Sequence, residues 1–328
     1  MKQFYLILFI LVSTLSFAQL TPPAELQSYY TDVDFSLTGN NLYNDLETVT
    51  ITQHSPFLTY SQRHDYLYDA DEDLMNTSNV VLIYSGESRN ENEYLSSSNP
   101  NPTQTFNTEH VYPKSLLDDF NAEADLHLLK TCDIDDNSDR GNDPFVSGLG
   151  TYGSTGSAWY PGDDWKGDVA RIILYVNLRY NEPFTDVGSL SLFLQWNTED
   201  PVSPIEDQRN AVISSAQGNR NPFIDNPYIA TVIWGGPNAE NRWSALSIDE
   251  KTINDVSMYP NPVKNDFVYF YSTQNLDIII YNILGKQVII ENITPTKDFI
   301  NVSNLNKGIY LVKIISNHGT VTKKLIIQ

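Results

Sequence analysis

The sequence predicts an α+β fold, in which a mixed helix and strand domain is followed by a small all-β sandwich. Apolar residues recur at spacings of three and four between residues 168 and 180, which is typical of a helix with a buried face. Residues 80–86 form a short run rich in β-branched side chains that ends at glycine, which indicates a buried strand. After residue 254, six or seven short alternating runs are separated by turn residues, a pattern typical of a β-sandwich.

Other segments of the mixed domain have weaker patterns. Residues 107–112 favour a strand, because Val111 and Tyr112 prefer extended structure and a proline follows. Residues 122–131 are compatible with the start of a helix or with a strand-like turn, and residues 47–52 alternate between polar and apolar side chains. The remaining predictions are loops at 87–104 and 148–162, a short helix within the polar run 133–143, and helices at 189–196 and 205–216.

The chain begins with the features of a secretory signal peptide. A short basic start precedes an apolar run at residues 4–12, and Ser16, Phe17 and Ala18 form a cleavage site with small residues at its first and third positions. The apolar run is too short to cross about 30 Å of hydrocarbon. We therefore expect residues 1–18 to be removed, and the mature protein to be exported as a monomer with no stable membrane insertion.

Composition divides the rest of the chain into a mixed domain at 19–237, a polar linker at 238–253 and the sandwich at 254–328. Cys132 is alone, so the chain cannot form an intramolecular disulfide. A catalytic cysteine would need an activating base, and the sequence around Cys132 offers none. We interpret Cys132 as a small buried side chain.

The charge of the chain restricts its partners. The formal net charge is -21, and residues 19–253 carry 12 Lys or Arg against 36 Asp or Glu. This balance excludes a general basic face for nucleic acid. Any polyanion that binds this domain must be held locally, by a metal ion and a few arginines.

The candidate site lies at Glu109 and His110. The imidazole of His110 can act as a general base near neutral pH. The carboxylate of Glu109 and the amide oxygen of Asn137 are hard ligands that suit Mg²⁺. Adjacent residues of a regular strand point to opposite faces, so the two groups act together only if the strand ends or bulges before Pro113.

Five blocks of sequence in a fixed order carry a family resemblance. They are residues 107–115, 125–129, 137–142, 166–171 and 217–225. Over roughly residues 25–236, the chain resembles the endonuclease I family of secreted and periplasmic nucleases, within the His-Me finger or ββα-metal group. The resemblance implies a ββα-metal finger and cleavage of DNA, with RNA as a further substrate, without sequence specificity. It also implies 5′-phosphate ends and one Mg²⁺, or Mn²⁺ or Ca²⁺ in its place.

The resemblance also assigns roles to residues. His110 matches the general base, and Glu109 and Asn137 match the metal ligands. Arg140 is placed with His110 in the catalytic set, where it contacts phosphate or positions the finger helix. The candidates for substrate binding are Asn142, Arg171, Arg209, Arg220 and Lys114.

Two departures from the family pattern affect these assignments. Some family members carry disulfides, which this chain lacks. Some also have a longer insertion between the residues that match His110 and Asn137, so a phosphate-binding arginine in that insertion has no certain counterpart here. Lys114 is the substitute that we consider.

Other interpretations of the same residues stay open. The run 133–139 suggests a calcium loop, but an EF-hand requires Gly and Glu where this chain has Ser138 and Pro144, which leaves only a looser Ca²⁺ site. Asp125 and His127 form either a structural pair or a second functional pair. The aromatic residues Trp159, Tyr160, Trp165 and Trp196 either pack the domain or stack on bases.

Two alternative functions belong to other classes. A catalytically silent descendant could serve as a cell-surface binding module, although it would be free to lose Glu109, His110 and Asn137. Glycoside hydrolysis would need a distinguished pair of carboxylates, and no pair stands out.

The C-terminal segment carries a second resemblance. Residues 258–262, 281–286, 305–310 and 323–327 are similar to a type IX secretion sorting domain. This resemblance implies the outer-membrane secretion machinery as a partner and an extracellular or cell-surface location. A carbohydrate-binding or adhesive sandwich is the alternative.

Overall fold

The computed structural model describes residues 20–243, 257–264, 266–271, 275–282, 286–294, 297–316 and 319–328. The chain divides into an N-terminal unit, Met1–Ser244, and a C-terminal unit, Ala245–Gln328. The predicted signal peptide, 1–18, lies outside the described residues, as does most of the predicted linker.

The N-terminal unit mixes eight α-helices with seven short strands among its described residues. In chain order they are α1 (Gly39–Thr52), α2 (Leu67–Ala70), β1 (Glu72–Asp73), β2 (Asn76–Val81), β3 (Ser88–Asn90), β4 (Phe106–His110), β5 (Leu129–Asp133), α3 (Ile134–Arg140), β6 (Gly153–Ser154), β7 (Trp159–Tyr160), α4 (Lys166–Tyr180), α5 (Leu190–Glu199), α6 (Pro204–Gln217), α7 (Pro222–Asp225) and α8 (Tyr228–Trp234). Short 3₁₀ helices lie between several of them, including Tyr60–Asp65, Lys114–Leu116 and Phe120–Ala124. No helix within the described ranges has the length and hydrophobicity needed to span a bilayer.

The helix α4 runs through the middle of the core. Twelve of its 15 residues are buried, so it is enclosed on nearly every side rather than along one stripe. The helices predicted at 168–180, 189–196 and 205–216 are confirmed as α4, α5 and α6.

Capping residues explain where α6 begins and ends. Ser203 and Glu206 form a capping box, and Pro204 occupies the first turn. The helix ends at Gly218, whose φ is +89°. A Cβ at Gly218 would lie 2.2 Å from the carbonyl oxygen of Gln53, so only glycine fits this close approach.

The elements that carry the candidate site form a strand, strand, helix sequence. β4 pairs antiparallel with β5 in a regular register from Phe106 opposite Asp133 to His110 opposite Leu129. α3 follows β5 directly and is capped by Asp133, whose carboxylate accepts hydrogen bonds from the backbone N–H groups of Asp135 and Asp136. The expected strand at 107–112 and the expected short helix are therefore confirmed.

The structure corrects the strand expected at 80–86. Strand β2 ends at Val81, and the chain then turns through Tyr84, whose φ is +70°, and Gly86, whose φ is +68°. Leu82 and Ile83 are fully buried, so this run is apolar because it enters the core. An apolar run marks burial and does not by itself distinguish a strand from a buried turn.

The structure defines three other segments whose sequence patterns were ambiguous or incomplete. The stretch 122–131 contains the end of the 3₁₀ helix Phe120–Ala124 and the start of β5. The alternating residues 47–52 belong to α1, where Leu42, Leu46 and Val49 are buried at helical spacing. The expected loop at 148–162 includes the small antiparallel pair β6–β7.

The linker was predicted to begin too early. Trp243 is buried, and its ring packs edge-on against Tyr30 at 5.3 Å and Phe35 at 5.1 Å between ring centroids. The N-terminal unit therefore extends through Trp243, and residues 244–253 lie outside the described part of the chain.

The described residues of the C-terminal unit are all-β. Its strands are β8 (Ser257–Tyr259), β9 (Phe267–Tyr271), β10 (Leu276–Asn282), β11 (Gln287–Ile293), β12 (Phe299–Asn301), β13 (Gly308–Ser316) and β14 (Gly319–Ile327). They form one sheet in the order β11-β10-β13-β14 and another in the order β12-β9-β8. Both sheets contribute to a single apolar core, which includes Phe270, Ile278, Ile300 and Val312.

Candidate active site

The candidate site lies where β4 ends, and its two central residues face opposite sides of the strand. Glu109 is 2% exposed and points toward α3, whereas His110 is partly exposed and points toward the segment before β5. The strand ends at His110 as expected, and its pairing with β5 contains no bulge. We name the Glu109 side the inner face and the His110 side the outer face.

On the inner face, Glu109 is held by two groups. The hydroxyl of Tyr84 donates a hydrogen bond of 2.9 Å to Oε1, and Nε of Arg140 lies 3.3 Å from the same oxygen. Burial raises the pKa of Glu109 to about 7, although Arg140 and Tyr84 act in the opposite direction. Both side-chain contacts use Oε1, so Oε2 has no side-chain partner among the described residues, although the backbone N–H of His110 also interacts with the carboxylate.

Asn137 of α3 lies on the inner face as well, where α3 packs against β4. Its Nδ2 donates to Oδ1 of Asn107 at 2.7 Å and to the carbonyl of Thr108 at 3.2 Å. These bonds fix the amide nitrogen toward the strand and turn the amide oxygen away from it. Asn107 and Glu109 share one face of β4, so the structure brings Glu109 and Asn137 to one interface, as predicted.

On the outer face, His110 has a defined tautomer. Its Nε2 lies 3.1 Å from the carbonyl oxygen of Glu123, which can only accept, so Nε2 carries the proton and Nδ1 is a free acceptor. Burial lowers the pKa of His110 to about 4, and the charges of Lys114 and Arg63 act in the same direction. The imidazole is therefore neutral at physiological pH, which is the state that a general base requires.

Arg140 does not reach the outer face. It is 1% exposed, and its Nη2 and Nη1 donate to the carbonyls of Val111 at 2.7 Å and Gly141 at 2.8 Å. Its guanidinium also lies over the ring of Phe145. Since its donors are directed to internal groups, the structure favours a positioning role for Arg140, at Glu109 and α3, over phosphate contact. The expectation that it contacts phosphate is corrected.

Three further arginines that were candidates for substrate binding are structural. Arg171 is fully buried in a bidentate pair with Glu206, at 2.5 and 2.8 Å. Arg209 pairs with Asp71 and donates to the carbonyls of Leu126 and Leu129. Arg220 makes a bidentate pair with Asp225, at 2.8 and 2.6 Å. Two roles were open for these three arginines, phosphate contact and bracing of the fold. The structure favours bracing, because each arginine pairs with a carboxylate of the domain.

Lys114 and Asn142 remain at the surface. Nζ of Lys114 lies 2.5 Å from Oε1 of Glu123, close to the His110 ring. Nδ2 of Asn142 donates to Oγ of Ser115 at 3.0 Å. Both side chains are exposed, so they stay candidates for substrate contact.

Sequence reasoning missed two residues of the outer face, Tyr60 and Arg63. The ring of Tyr60 stacks on His110 with 5.4 Å between centroids, and the guanidinium carbon of Arg63 lies 3.8 Å from the centre of the Tyr60 ring. Both belong to the 3₁₀ helix Tyr60–Asp65, far from the finger in sequence. Their only sequence signal was an unusual density of aromatic residues between His54 and Tyr68.

Asp125 and His127 form a structural network. The carboxylate of Asp125 accepts hydrogen bonds from the hydroxyls of Tyr175 and Tyr180, at 2.6 and 2.8 Å, and from the amide of Gln217 at 2.6 Å. His127 is buried, with Nε2 3.3 Å from the carbonyl of Asn219. The structural interpretation of this pair is confirmed, and the pair has no opening to solvent.

The aromatic residues considered for base stacking are also internal. Trp159, Tyr160 and Trp196 are 2% exposed and Trp165 is 9% exposed. Within the described residues, no group of three or more His, Cys, Asp or Glu side chains is arranged to hold a metal. Asp133, the first residue of the suggested calcium loop, instead caps α3 and pairs with Arg89 at 2.6 Å.

The donor set at Glu109 and Asn137 nevertheless fits a hard divalent cation. Mg²⁺ is commonly bound by one or two protein oxygens, with water and substrate phosphate filling the other positions. The raised pKa of Glu109 shows that its charged form lacks full compensation, and Nε of Arg140 has no hydrogen-bond partner among the described residues. A cation at Oε2 would supply that missing compensation for the carboxylate.

Comparison with known proteins identifies both parts of the chain. Residues 38–228 match the Endonuclease I family, and residues 257–328 match a secretion system C-terminal sorting domain. The second match confirms the predicted sorting domain and the predicted extracellular or cell-surface location. It excludes the carbohydrate-binding sandwich as the interpretation of this segment.

Individual relatives agree with the family match. An extracellular ribonuclease of Bacillus amyloliquefaciens is 36% identical over 246 residues, covering 67% of this chain and 82% of the relative. An extracellular ribonuclease of Bacillus subtilis is 36% identical over 243 residues, covering 66% and 82%. An extracellular deoxyribonuclease of Aeromonas hydrophila is 32% identical over 120 residues, covering 33% and 52%. The chain therefore belongs to the Endonuclease I family.

Proposed function

We propose that the mature protein is a secreted, metal-dependent endonuclease that hydrolyses phosphodiester bonds of DNA, and of RNA, without sequence specificity. The observation that carries this proposal is the state of His110, which is neutral and has Nδ1 free. A neutral imidazole at the edge of the domain can take a proton from water.

The chemistry follows from this geometry. Nδ1 of His110 accepts a proton from a water molecule as the water oxygen attacks phosphorus. The bond from phosphorus to the 3′ oxygen breaks, and a solvent proton completes the 3′ hydroxyl, which leaves a 5′-phosphate end. The hydrogen bond from Nε2 to the carbonyl of Glu123 keeps the imidazole oriented and favours its protonated form during the transfer.

Glu109 and Asn137 would hold the metal, and Arg140 would orient Glu109. A divalent cation supplies charge neutralisation at the phosphate and at the leaving oxygen. We propose Mg²⁺ first, with Mn²⁺ and Ca²⁺ as alternatives, because one carboxylate and one amide oxygen are a small protein ligand set.

Both nucleic acids are proposed as substrates. Relatives with similar identity are named as ribonucleases and as a deoxyribonuclease. A hydrolytic mechanism that uses water as the nucleophile does not need the 2′ hydroxyl, so it applies to both sugars. We propose that the protein acts as a monomer.

The test is incubation of the mature protein with plasmid DNA, and separately with RNA, in Mg²⁺, Mn²⁺ or Ca²⁺ and in chelator. We expect cleavage that chelator stops and excess Mg²⁺ restores, with ends that ligase accepts without prior phosphorylation. If the folded protein binds nucleic acid but cleaves neither DNA nor RNA with any of these ions, it is the silent binding module instead.

We propose that the C-terminal unit acts only in export, through the outer-membrane secretion machinery. Its sheets enclose an apolar core, and we assign its described residues no part of the hydrolytic site. Deleting residues 254–328 should leave nuclease activity intact in vitro and retain the protein in the periplasm. Loss of activity in a deletion variant that still folds would contradict this division.

A further inference from the structure

We propose that Arg63 is the phosphate-binding arginine of the site. This inference rests on the proposed nuclease function and deepens it, because it names the group that holds the substrate backbone beside His110. Arg63 lies on the 3₁₀ helix Tyr60–Asp65 and not in the finger. Its position in sequence therefore gives no indication of this role.

Two hydrogen bonds and one ring fix the guanidinium on the outer face. Nε of Arg63 donates to Oγ1 of Thr108 at 3.0 Å, and Nη1 donates to the carbonyl of Tyr60 at 2.6 Å. Thr108 and His110 are two residues apart on β4, so their side chains point to the same side of the strand. Arg63 is thus anchored next to the general base, and its charge is one of the causes that lower the pKa of His110.

The third nitrogen of this guanidinium is free for a ligand. Within the described residues, Nη2 of Arg63 has no acceptor, and no carboxylate lies within ion-pair distance of the side chain. The side chain is partly exposed. A guanidinium held at Nε and Nη1 can donate from Nη2 to a non-bridging phosphate oxygen with little loss of conformational entropy.

The other arginines of the unit leave this role to Arg63. The guanidinium groups of Arg140, Arg171 and Arg209 are buried and committed to internal acceptors, and Arg179 is 8% exposed. Arg220 is partly exposed, and its Nε and Nη2 form a bidentate ion pair with Asp225. Arg89 pairs with Glu87 and Asp133, and Arg242 pairs with Asp207. Residues 19–253 carry 36 acidic and 12 basic side chains, so a cation beside the proposed base that has no carboxylate partner is what a polyanion can use.

Lys114 lies on the same outer face, but its ammonium group is less available to a phosphate. Its Nζ lies 5.3 Å from the centre of the Tyr60 ring and is paired with Glu123. A phosphate that approaches Lys114 must compete with that carboxylate, whereas Nη2 of Arg63 has no such competitor. We therefore assign the main contact to Arg63.

The test compares Arg63→Met with Thr108→Val and with the control Arg242→Met. Thr108→Val removes the anchor of Nε but keeps the charge, and Arg242 is a partly exposed, paired arginine outside the site. Nuclease activity gives kcat and KM. Binding is measured in the His110→Ala background, with Mg²⁺ and labelled single-stranded or duplex oligonucleotides, over a range of salt concentrations.

We expect Arg63→Met to lower kcat/KM by about 10- to 100-fold, the usual effect of losing a hydrogen bond to a charged group. It should also reduce the slope of log binding constant against log salt by about 0.9 for duplex DNA and about 0.7 for single strands. Thr108→Val and Arg242→Met should keep the wild-type salt slope. Arg63→Lys should recover part of the binding, because it retains the charge but not the planar geometry.

The proposal would be overturned if Arg63→Met kept the wild-type salt slope and Thr108→Val lowered kcat/KM as much as Arg63→Met did. Arg63 would then have only a structural role. If Arg63→Met does not fold, Arg63→Gln provides the same comparison. The binding measurement separates this inference from the proposed function. A wild-type protein that binds but never cleaves refutes the nuclease function, while the effect of Arg63→Met on its salt slope still decides the role of Arg63.

Discussion

The two faces of β4 differ in how deeply their ionisable side chains are buried and in how many partners those side chains have. On the inner face, Glu109 is buried against Tyr84 and Arg140, which hold it in place. On the outer face, His110 and Arg63 are partly exposed, and within the described residues each has one side-chain nitrogen without a hydrogen-bond partner. One face therefore holds groups in position, and the other leaves groups free to react or bind.

This difference explains how adjacent residues can serve one reaction. A regular strand places Glu109 and His110 on opposite sides, and β4 ends at His110, so the two sides meet at the end of the strand. Under the proposed mechanism, a phosphate located there would contact the proposed metal ligands from one side and the proposed base from the other. The faces need no bulge to cooperate.

The largest expected effect is on the outer face. His110→Ala removes the base, so we expect the cleavage rate to fall by about 10²- to 10⁴-fold, while the melting temperature stays close to that of wild type. Single-turnover cleavage measures the rate. The control is Arg242→Met, since Arg242 pairs with Asp207 outside the site. Wild-type cleavage by His110→Ala would remove the assigned base.

A buried arginine away from both groups should give the opposite result. Arg209→Met leaves Asp71 and Lys130 in a fully buried cluster without one of its charges, and we expect a loss of about 3–5 kcal/mol in the free energy of unfolding. Urea denaturation measures this loss. The folded fraction should cleave at the wild-type rate. A selective loss of substrate binding, with normal stability, would return Arg209 to the list of phosphate contacts.

Glu109→Gln should separate stability from metal binding. The pKa of Glu109 in the folded protein is about 7, above its ordinary value of 4.5, so the folded state holds the proton more tightly. In metal-free protein, the free energy of unfolding therefore falls as pH rises from 4.5 to 7, by about 3 kcal/mol. Glu109→Gln should abolish this fall and be more stable than wild type at pH 8.

The same variant should bind Mg²⁺ at least about 10-fold more weakly, because an amide oxygen replaces a carboxylate. Calorimetric titration measures the affinity, and Glu123→Gln is the control for loss of a nearby negative charge. Unchanged metal affinity in Glu109→Gln would place the metal elsewhere.

The smallest effect concerns the pH dependence of cleavage. His110, with its pKa lowered to about 4, stays neutral well below pH 7, so the acidic limb of the rate profile should follow Glu109 when metal is scarce. Since a cation competes with the proton on Glu109, raising the Mg²⁺ concentration should move this limb to lower pH. Rate profiles at two Mg²⁺ concentrations measure the shift. A limb that does not move would indicate that His110 or the substrate controls it.

The sequence predicted the regular and local parts of this molecule well. Helices α4, α5 and α6 were visible from their spacing, and the strand and helix that carry His110 and Asn137 were placed correctly. The periodicity of α1 was obscured by Thr and Val side chains at its C-terminal end, which favour strands in isolation. There the burial of Leu42 and Leu46 outweighs local preference.

The arginines show what sequence could not provide. Arg171 and Arg220 lie in the sequence blocks of the family resemblance and Arg209 lies between two of them. Neither position shows whether the partner of the arginine is a phosphate or a carboxylate. Glu206 lies 35 residues from Arg171, and Asp71 lies 138 residues from Arg209. Only the three-dimensional fold reveals these partners, and the same is true of Arg63, which reaches Thr108 across 45 residues.

The cluster of Asp71, Lys130 and Arg209 has a consequence for the order in which the protein assembles. Arg209 on α6 pairs with Asp71, which lies just before β1. The same guanidinium donates to the carbonyls of Leu126, before β5, and Leu129, at its start. A chain emerging from the ribosome lacks this support until α6 has been synthesised, and contacts of such sequence separation form slowly. We therefore expect the strand opposite His110 to be fully supported, and nuclease activity to appear, only in chains that extend beyond Arg209.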